Sequence, residues 1–201
     1  MRAKTTVSII KCDIGSIAGH CTVPEPLKTI ADRRLKEAEE SGLITSHYVF
    51  NAGDDLELLM THARGENDSE IHSLAWRVFN EAAERAKQLK LYGAGQDILK
   101  TAFSGNVRGL GPGVAEMEID ERKSEPIMVL AADKTEPGAF NFPLFKVFAD
   151  PFNTAGLVID PNMQGGFKFE VFDVIESQKV VLKTPEEMYE LIALIGTPGR
   201  Y

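Results

Sequence analysis

The residues of this sequence best suited to bind a divalent cation are four aspartates at the ends of predicted strands. They are Asp13, Asp54, Asp55 and Asp133. Strand ends that meet at one edge of a sheet lie close together in space, and Mg²⁺ favours carboxylates, water and substrate phosphates as ligands. Aspartates are also ordinary turn residues, because their side chains bond nearby backbone amides. The pattern alone leaves both interpretations open.

The adjacent pair Asp54 and Asp55 follows Gly53. Adjacent side chains on a strand normally point to opposite faces. At a turn after glycine, both carboxylates could instead reach one metal cluster or bridge two metals. This spacing therefore favours the metal interpretation more than any single aspartate does.

Several further residues could hold a phosphate, but each has a simpler alternative. His20 could be a metal or phosphate ligand, or a solvated loop residue. Lys134, next to Asp133, suits a phosphate clamp but could equally be a surface lysine. The glycine-rich segment 104–113 could present backbone N–H groups to a phosphate, although it lacks the Gly-Lys-Ser/Thr ending of a P-loop.

The net charge of −8 in 201 residues argues against a nucleic-acid-binding protein, because nothing offsets the repulsion of the phosphates. The apolar runs have the length of strands, and neither a membrane span nor a signal peptide is predicted. The two cysteines, Cys12 and Cys21, do not form a disulfide framework, so a reducing cytoplasm is expected.

Hydrophobic periodicity predicts the elements that must position these residues. Strands are predicted at 5–12, 44–52, 56–62, 114–119, 127–132 and 167–174, and helices at 27–40 and 70–89. A last helix is predicted to end before Gly196, with Thr184 as its cap, Pro185 in its first turn and Glu187 completing a capping box. The expected class is α/β, with two mixed sheets inside and helices outside in an α-β-β-α arrangement.

Longer motifs resemble the archaeal-type fructose-1,6-bisphosphate aldolase/phosphatase family. The resemblance covers essentially the whole chain. Its motifs are Lys-Cys-Asp-Ile-Gly-Ser-Ile-Ala-Gly-His (11–20), Gly-Asp-Asp-Leu-Glu-Leu (53–58), Ala-Gly-Gln-Asp (94–97), Phe-Ser-Gly-Asn-Val-Arg-Gly-Leu-Gly-Pro-Gly-Val-Ala-Glu-Met-Glu (103–118), Ala-Asp-Lys-Thr-Glu-Pro-Gly-Ala (132–139), Phe-Ala-Asp-Pro-Phe-Asn-Thr (148–154), Gly-Gly-Phe-Lys-Phe-Glu-Val (165–171) and Leu-Ile-Gly-Thr-Pro (194–198).

The resemblance implies one active site that performs two reactions of gluconeogenesis. Dihydroxyacetone phosphate condenses with glyceraldehyde 3-phosphate, and the 1-phosphate of the resulting fructose 1,6-bisphosphate is then hydrolysed to give fructose 6-phosphate. The implied Mg²⁺ ligands are Asp13, His20, Asp54, Asp55, Gln96 and Asp133. The implied sugar-phosphate ligands are His20, Tyr92, Gly105, Asn106 and Lys134. Asp13 also takes the position of the proton acceptor in the phosphatase step, and a homo-octamer is implied.

By the same resemblance, residues 1–201 form the N-terminal half of a single catalytic domain. Family members continue into a second half, which supplies further metal carboxylates and the Schiff-base lysine and tyrosine of the aldolase step. The chain is therefore expected to be a fragment. Two alternatives remain for it alone, a catalytically silent metal-binding or assembly module and a phosphatase without aldolase activity.

Overall fold

A computed structural model of the chain describes most of the first 120 residues and parts of the remainder. The described residues are 4–19, 21–95, 98, 112–120, 129, 131, 145–146, 148, 150, 165–173, 176 and 178–195. The chain divides into two compact units, residues 1–133 and residues 134–201. Helices and β-sheets are both present, which confirms the α/β class.

The first unit contains a four-stranded antiparallel sheet with two helices. Its strands are β1 (Lys4–Asp13), β2 (Ser46–Ala52), β3 (Asp55–His62) and β4 (Gly113–Asp120), in the order β2-β3-β1-β4. All three strand pairs are antiparallel. The predictions of these four strands are confirmed. The central strand β1 is thus hydrogen-bonded on both sides to segments that lie far away in sequence.

Helices α1 (Glu25–Glu40) and α2 (Ser69–Gln88) pack on one face of this sheet. Alternate residues of β1 and β3, including Ile10, Cys12 and Leu58, form one core with the apolar stripes of both helices. The stripe of α2 is buried from Ile71 to Ala86, as its three-and-four spacing predicts. The side chains at the intervening positions of β1 consequently point away from the helices.

Helix α2 begins at a side-chain cap. The Asp68 carboxylate accepts hydrogen bonds from the backbone N–H groups of Glu70 (2.9 Å) and Ile71 (3.1 Å). Two N–H groups that lack partners within the helix are thereby satisfied. Asn67 and Asp68 are both residue types that favour N-cap positions, and the structure uses Asp68.

A polar network lies between the sheet and the start of α2. The buried Ser8 hydroxyl bonds His62 Nε2 (2.8 Å) and donates to Glu116 Oε1 (2.7 Å), and His72 Nε2 lies 3.2 Å from the same oxygen. The Arg64 backbone N–H donates to His62 Nδ1 at 3.3 Å. Burial lowers the pKa of His62 below its ordinary value, so the neutral imidazole is favoured.

The second unit contains strands β5 (Phe167–Asp173) and β6 (Gln178–Thr184), paired antiparallel, and helix α3 (Met188–Ile195). Val171, Leu182, Met188 and Leu191 form its small core. Strand β5 was predicted and is confirmed. Strand β6 was not predicted from the sequence, although its segment contains a short apolar run rich in β-branched residues, which is typical of strands.

The predicted capping box of the last helix is wrong. Thr184 ends β6, where it pairs with Phe167, and the helix begins only at Met188. The Glu187 carboxylate accepts from the Lys183 backbone N–H at 2.7 Å instead of reaching Thr184. Pairing with β5 keeps Thr184 extended, and this overrides the local capping signal.

The strand predicted at 127–132 lies almost wholly outside the described residues. Among the helices that the structure describes, none combines the length and the apolar character required to cross a membrane.

Candidate functional site

Two of the four strand-end aspartates face each other at one edge of the first sheet. Asp13 is the last residue of β1, Asp55 is the first of β3, and the antiparallel register pairs them directly. Directly opposed residues have Cβ atoms about 4.5–5.5 Å apart. The sheet edge therefore brings together two carboxylates that are 42 positions apart in the sequence.

The β2–β3 hairpin places Asp54 beside this pair. Ala52 pairs with Asp55, so Gly53 and Asp54 form a two-residue loop. Gly53 has φ +58°, the left-handed conformation that such tight hairpins require and that glycine adopts without cost. The Asn51 side-chain amide donates to the Gly53 carbonyl at 2.9 Å. Asp54 and Asp55 are 6% and 7% exposed, so this hairpin holds two nearly buried aspartates.

Lys11 and Glu57 lie on the same face as this pair and were given no role from the sequence. Lys11 is directly opposite Glu57 in the β1–β3 register, two residues from the Asp13–Asp55 pair. The Lys11 ammonium forms an ion pair with Asp55 Oδ2, and Glu57 is buried. The spacings 11/13 and 55/57 place each pair on one face of a strand, which is the signal that could have identified them.

The turn that follows β1 fixes the Asp13 side chain. Its Oδ1 atom accepts a hydrogen bond from the Gly15 backbone N–H at 2.9 Å. Gly15 has φ +117°, and a Cβ atom at this position would lie 2.8 Å from the Ala94 Cα atom. Only glycine fits this close approach, so the turn and the segment after α2 are held against each other.

Tyr92 is carried to the same turn by backbone pairing. Ser16 N–H donates to the Tyr92 carbonyl (3.0 Å), and Tyr92 N–H donates to the Ser16 carbonyl (2.9 Å). The Tyr92 side chain is 66% exposed. Ser16 lies three residues after Asp13. The bridge therefore holds the backbone of Tyr92, whose side chain is exposed, against the turn that fixes the Asp13 carboxylate.

The other predicted site residues lie outside the described part of the chain. They are His20, Gln96, Gly105, Asn106, Asp133 and Lys134. Three of the six predicted metal ligands are therefore described, and they are Asp13, Asp54 and Asp55. Within the described residues, no group of three His, Cys, Asp or Glu side chains is arranged to hold a metal ion.

The described carboxylates fit a hard divalent cation as part of a ligand set. Asp54 and Asp55 are nearly buried, and Asp13 lies directly opposite Asp55. Grouped carboxylates with little access to water require positive charge nearby. Lys11 supplies one such charge to Asp55. The described donors are carboxylate oxygens, which suit Mg²⁺ better than a softer metal.

Comparison with known proteins identifies the family. A family model described as Fructose-1,6-bisphosphatase matches residues 4–201. A relative from Sulfurisphaera tokodaii, named fructose-1,6-bisphosphate aldolase/phosphatase, is 62% identical over 198 residues, which cover 98% of this chain and 52% of the relative. Relatives of the same name from Ignicoccus hospitalis and Moorella thermoacetica are 63% and 57% identical over all 201 residues, again 52% of their length. The chain thus spans about half the length of these relatives.

Proposed function

This chain belongs to the fructose-1,6-bisphosphatase family, and we propose that it forms the N-terminal half of a Mg²⁺-dependent fructose-1,6-bisphosphate aldolase/phosphatase. The proposed protein condenses dihydroxyacetone phosphate with glyceraldehyde 3-phosphate and hydrolyses the 1-phosphate of the product to fructose 6-phosphate. We assign both compact units of this chain to a single catalytic domain, of which they form only a portion. Cytoplasmic location and assembly into a homo-octamer belong to the same proposal.

The opposition of Asp13 and Asp55 is the observation that carries this proposal. It places two carboxylates from the motifs at 11–20 and 53–58 at one sheet edge, and Asp54 follows in the adjoining hairpin loop. Turn-forming aspartates without another role have no reason to be opposed in this way, because like charges directly opposite each other destabilise a sheet.

We assign Asp13, Asp54 and Asp55 as metal ligands, together with His20, Gln96 and Asp133. Bound Mg²⁺ ions would neutralise phosphate charge and stabilise the leaving oxygen. The remaining predicted residues bind the substrate. The amides of Gly105 and Asn106 and the Lys134 ammonium hold the phosphate, while His20 and Tyr92 bind the sugar phosphate.

Asp13 serves as the proton acceptor of the phosphatase step. Water attacks the phosphorus atom of the 1-phosphate and its proton passes to Asp13. The bond from phosphorus to the sugar oxygen breaks, and the sugar oxygen takes up a proton from solvent to give the hydroxyl of the product. The Gly15 backbone N–H donates to Asp13 Oδ1 at 2.9 Å. This hydrogen bond fixes the orientation of the carboxylate before substrate arrives, which lowers the entropic cost of reaction.

The aldolase step requires a Schiff-base lysine that we do not assign to any residue of this chain. We propose that the remaining half of the protein supplies this lysine. The match to only about half of each relative favours a second candidate for the chain by itself, a metal-binding module that lacks turnover.

Phosphate release from fructose 1,6-bisphosphate by this chain tests the proposal. The assay is run with Mg²⁺ and again with EDTA, and an Asp54→Ala variant is measured beside the parent. Release that both EDTA and the substitution abolish would support a phosphatase centre in this half. A folded chain that releases no phosphate would support the metal-binding module. Release that persists in EDTA would contradict the proposed metal site.

A further inference from the structure

We propose that Lys11 is a positioning residue that acts as the built-in counter-cation of the metal site. In the metal-free chain it holds Asp55 in place, and it competes with a divalent cation for that carboxylate. This inference rests on the proposed function, because it takes Asp55 to be a metal ligand.

The strand register carries the first part of the argument. Lys11 and Asp13 lie on one face of β1, opposite Glu57 and Asp55 of β3 respectively. The ion pair runs diagonally, from the Lys11 ammonium to Asp55 Oδ2. Lys11 is therefore next to Asp13 along its own strand and next to both carboxylates across it, where one ammonium offsets the repulsion among them.

The neighbouring strand β4 carries the second part. Its first residue, Gly113, pairs with Lys11. A Cβ atom at Gly113 would lie 3.1 Å from Lys11 Cγ and 3.4 Å from Cε. The lysine stem thus lies against backbone that has no side chain, which leaves room for the stem while its ammonium pairs with Asp55. Any larger residue at this position would crowd the stem.

The chemistry of lysine suits a cation that can be displaced. Its ammonium is a compact, strongly hydrated charge on a flexible stem, and the Lys11 side chain is 40% exposed, so it can turn toward water. A divalent cation carries twice the charge and gains several carboxylates at once. It therefore displaces the ammonium from Asp55, and the loss of this ion pair weakens the net affinity for metal.

Mn²⁺ binding to the chain in the absence of substrate tests the inference. Free Mn²⁺ is measured by its electron paramagnetic resonance signal during a titration. Lys11→Met keeps an unbranched stem and removes the charge, so we expect its Mn²⁺ affinity to rise about tenfold. Lys11→Arg offers Asp55 a bidentate guanidinium, so we expect unchanged or weaker binding.

Lys4→Met is the matched control. Lys4 is at the opposite end of the same strand and pairs with Glu118 at 2.6 Å, so its replacement removes the same charge far from Asp55. We expect its Mn²⁺ affinity to match that of the parent. In EDTA, Lys11→Met should melt at a lower temperature than the parent, and Mn²⁺ should raise its melting temperature by a larger increment.

Unchanged or weaker Mn²⁺ binding by Lys11→Met, with normal binding by the parent, would overturn the role of Lys11 and leave the metal site intact. If Lys11→Met does not fold, tighter binding by Lys11→Arg than by the parent would overturn it. A parent chain that binds no Mn²⁺ would contradict the proposed metal site and this inference together.

Discussion

Asp13 and Asp55 are opposed directly across the antiparallel β1–β3 pair, one at the end of its strand and the other at the start. The four-stranded sheet thus places two like charges directly opposite each other, and their mutual repulsion destabilises the sheet. Such an arrangement exchanges some stability for function. The predictions below separate residues that stabilise the fold from residues that we assign to the reaction.

Replacement of Asp13 by asparagine is expected to stabilise the metal-free chain while it removes phosphatase activity. Asparagine retains the oxygen that accepts from the Gly15 N–H and removes the charge opposite Asp55. We expect a gain of roughly 0.2–1 kcal/mol in the free energy of unfolding. Urea unfolding in EDTA measures this gain, and a loss of stability would show that the two charges do not repel.

Replacement of Gly15 by alanine is expected to destabilise the chain more than the same change at Gly19. Both glycines have positive φ, +117° and +101°, so each substitution strains the backbone. A Cβ atom at Gly15 also collides with Ala94, whereas one at Gly19 meets nothing within 4 Å. We expect the two variants to differ by about 1–3 kcal/mol. Equal chemical-denaturation midpoints would contradict the close approach.

Replacement of Asp68 by alanine is expected to cost about 1 kcal/mol, because α2 loses the cap on two N–H groups. Asp68→Asn provides the control, since its amide oxygen can still accept from Glu70 and Ile71. The asparagine variant should retain most of the stability in urea unfolding. An equal loss in both variants would assign the effect to the ion pair with Arg64 instead.

The buried His62 is expected to make the chain less stable as the pH falls. Burial lowers the pKa of His62, while the charges of Glu116 and Asp68 raise it and those of Arg64 and His72 lower it. Below about pH 6.5 the unfolded chain binds a proton that the folded imidazole resists, so the free energy of unfolding decreases. Above that range this contribution is constant.

His62→Gln provides the comparison for this pH dependence. Its amide can donate to Ser8 as His62 Nε2 does, but it does not titrate. Thermal unfolding of both chains between pH 7.5 and 5, a range chosen to bracket the ordinary histidine pKa, should show a steeper loss for the parent. Parallel curves would assign the acid sensitivity to groups other than His62.

Local signals in the sequence were sufficient to predict most of the helices and strands that the structure describes. Helix α2 was predicted because its apolar stripe lies within one continuous segment. The late start of α3 was not predicted. It depends on the pairing of Thr184 with Phe167, which lies 17 residues earlier in the sequence. Propensity describes a segment in isolation, and tertiary pairing can override it.

The candidate site was predictable only in part, for the same reason. Strand-end aspartates identified the edge, but the direct opposition of Asp13 and Asp55 depends on an antiparallel register that no local pattern contains. Lys11 has no distinguishing neighbour in sequence. Its significance arises from Asp55 and Gly113, which reach it from two different strands.

The central position of β1 also has a consequence for folding. Lys11 is paired with Glu57 on one side and with Gly113, about a hundred residues away, on the other. Contacts between residues so far apart in sequence form slowly, because closing the long loop between them costs conformational entropy before the contacts contribute any stabilisation. Lys11 therefore lies between both of its neighbouring strands only when β4 has docked, and partly folded chains without β4 lack the Gly113 contact. Nascent protein emerging from the ribosome could oppose Asp13 and Asp55 as soon as β3 has been synthesised, but Lys11 would gain its contact with Gly113 only after β4.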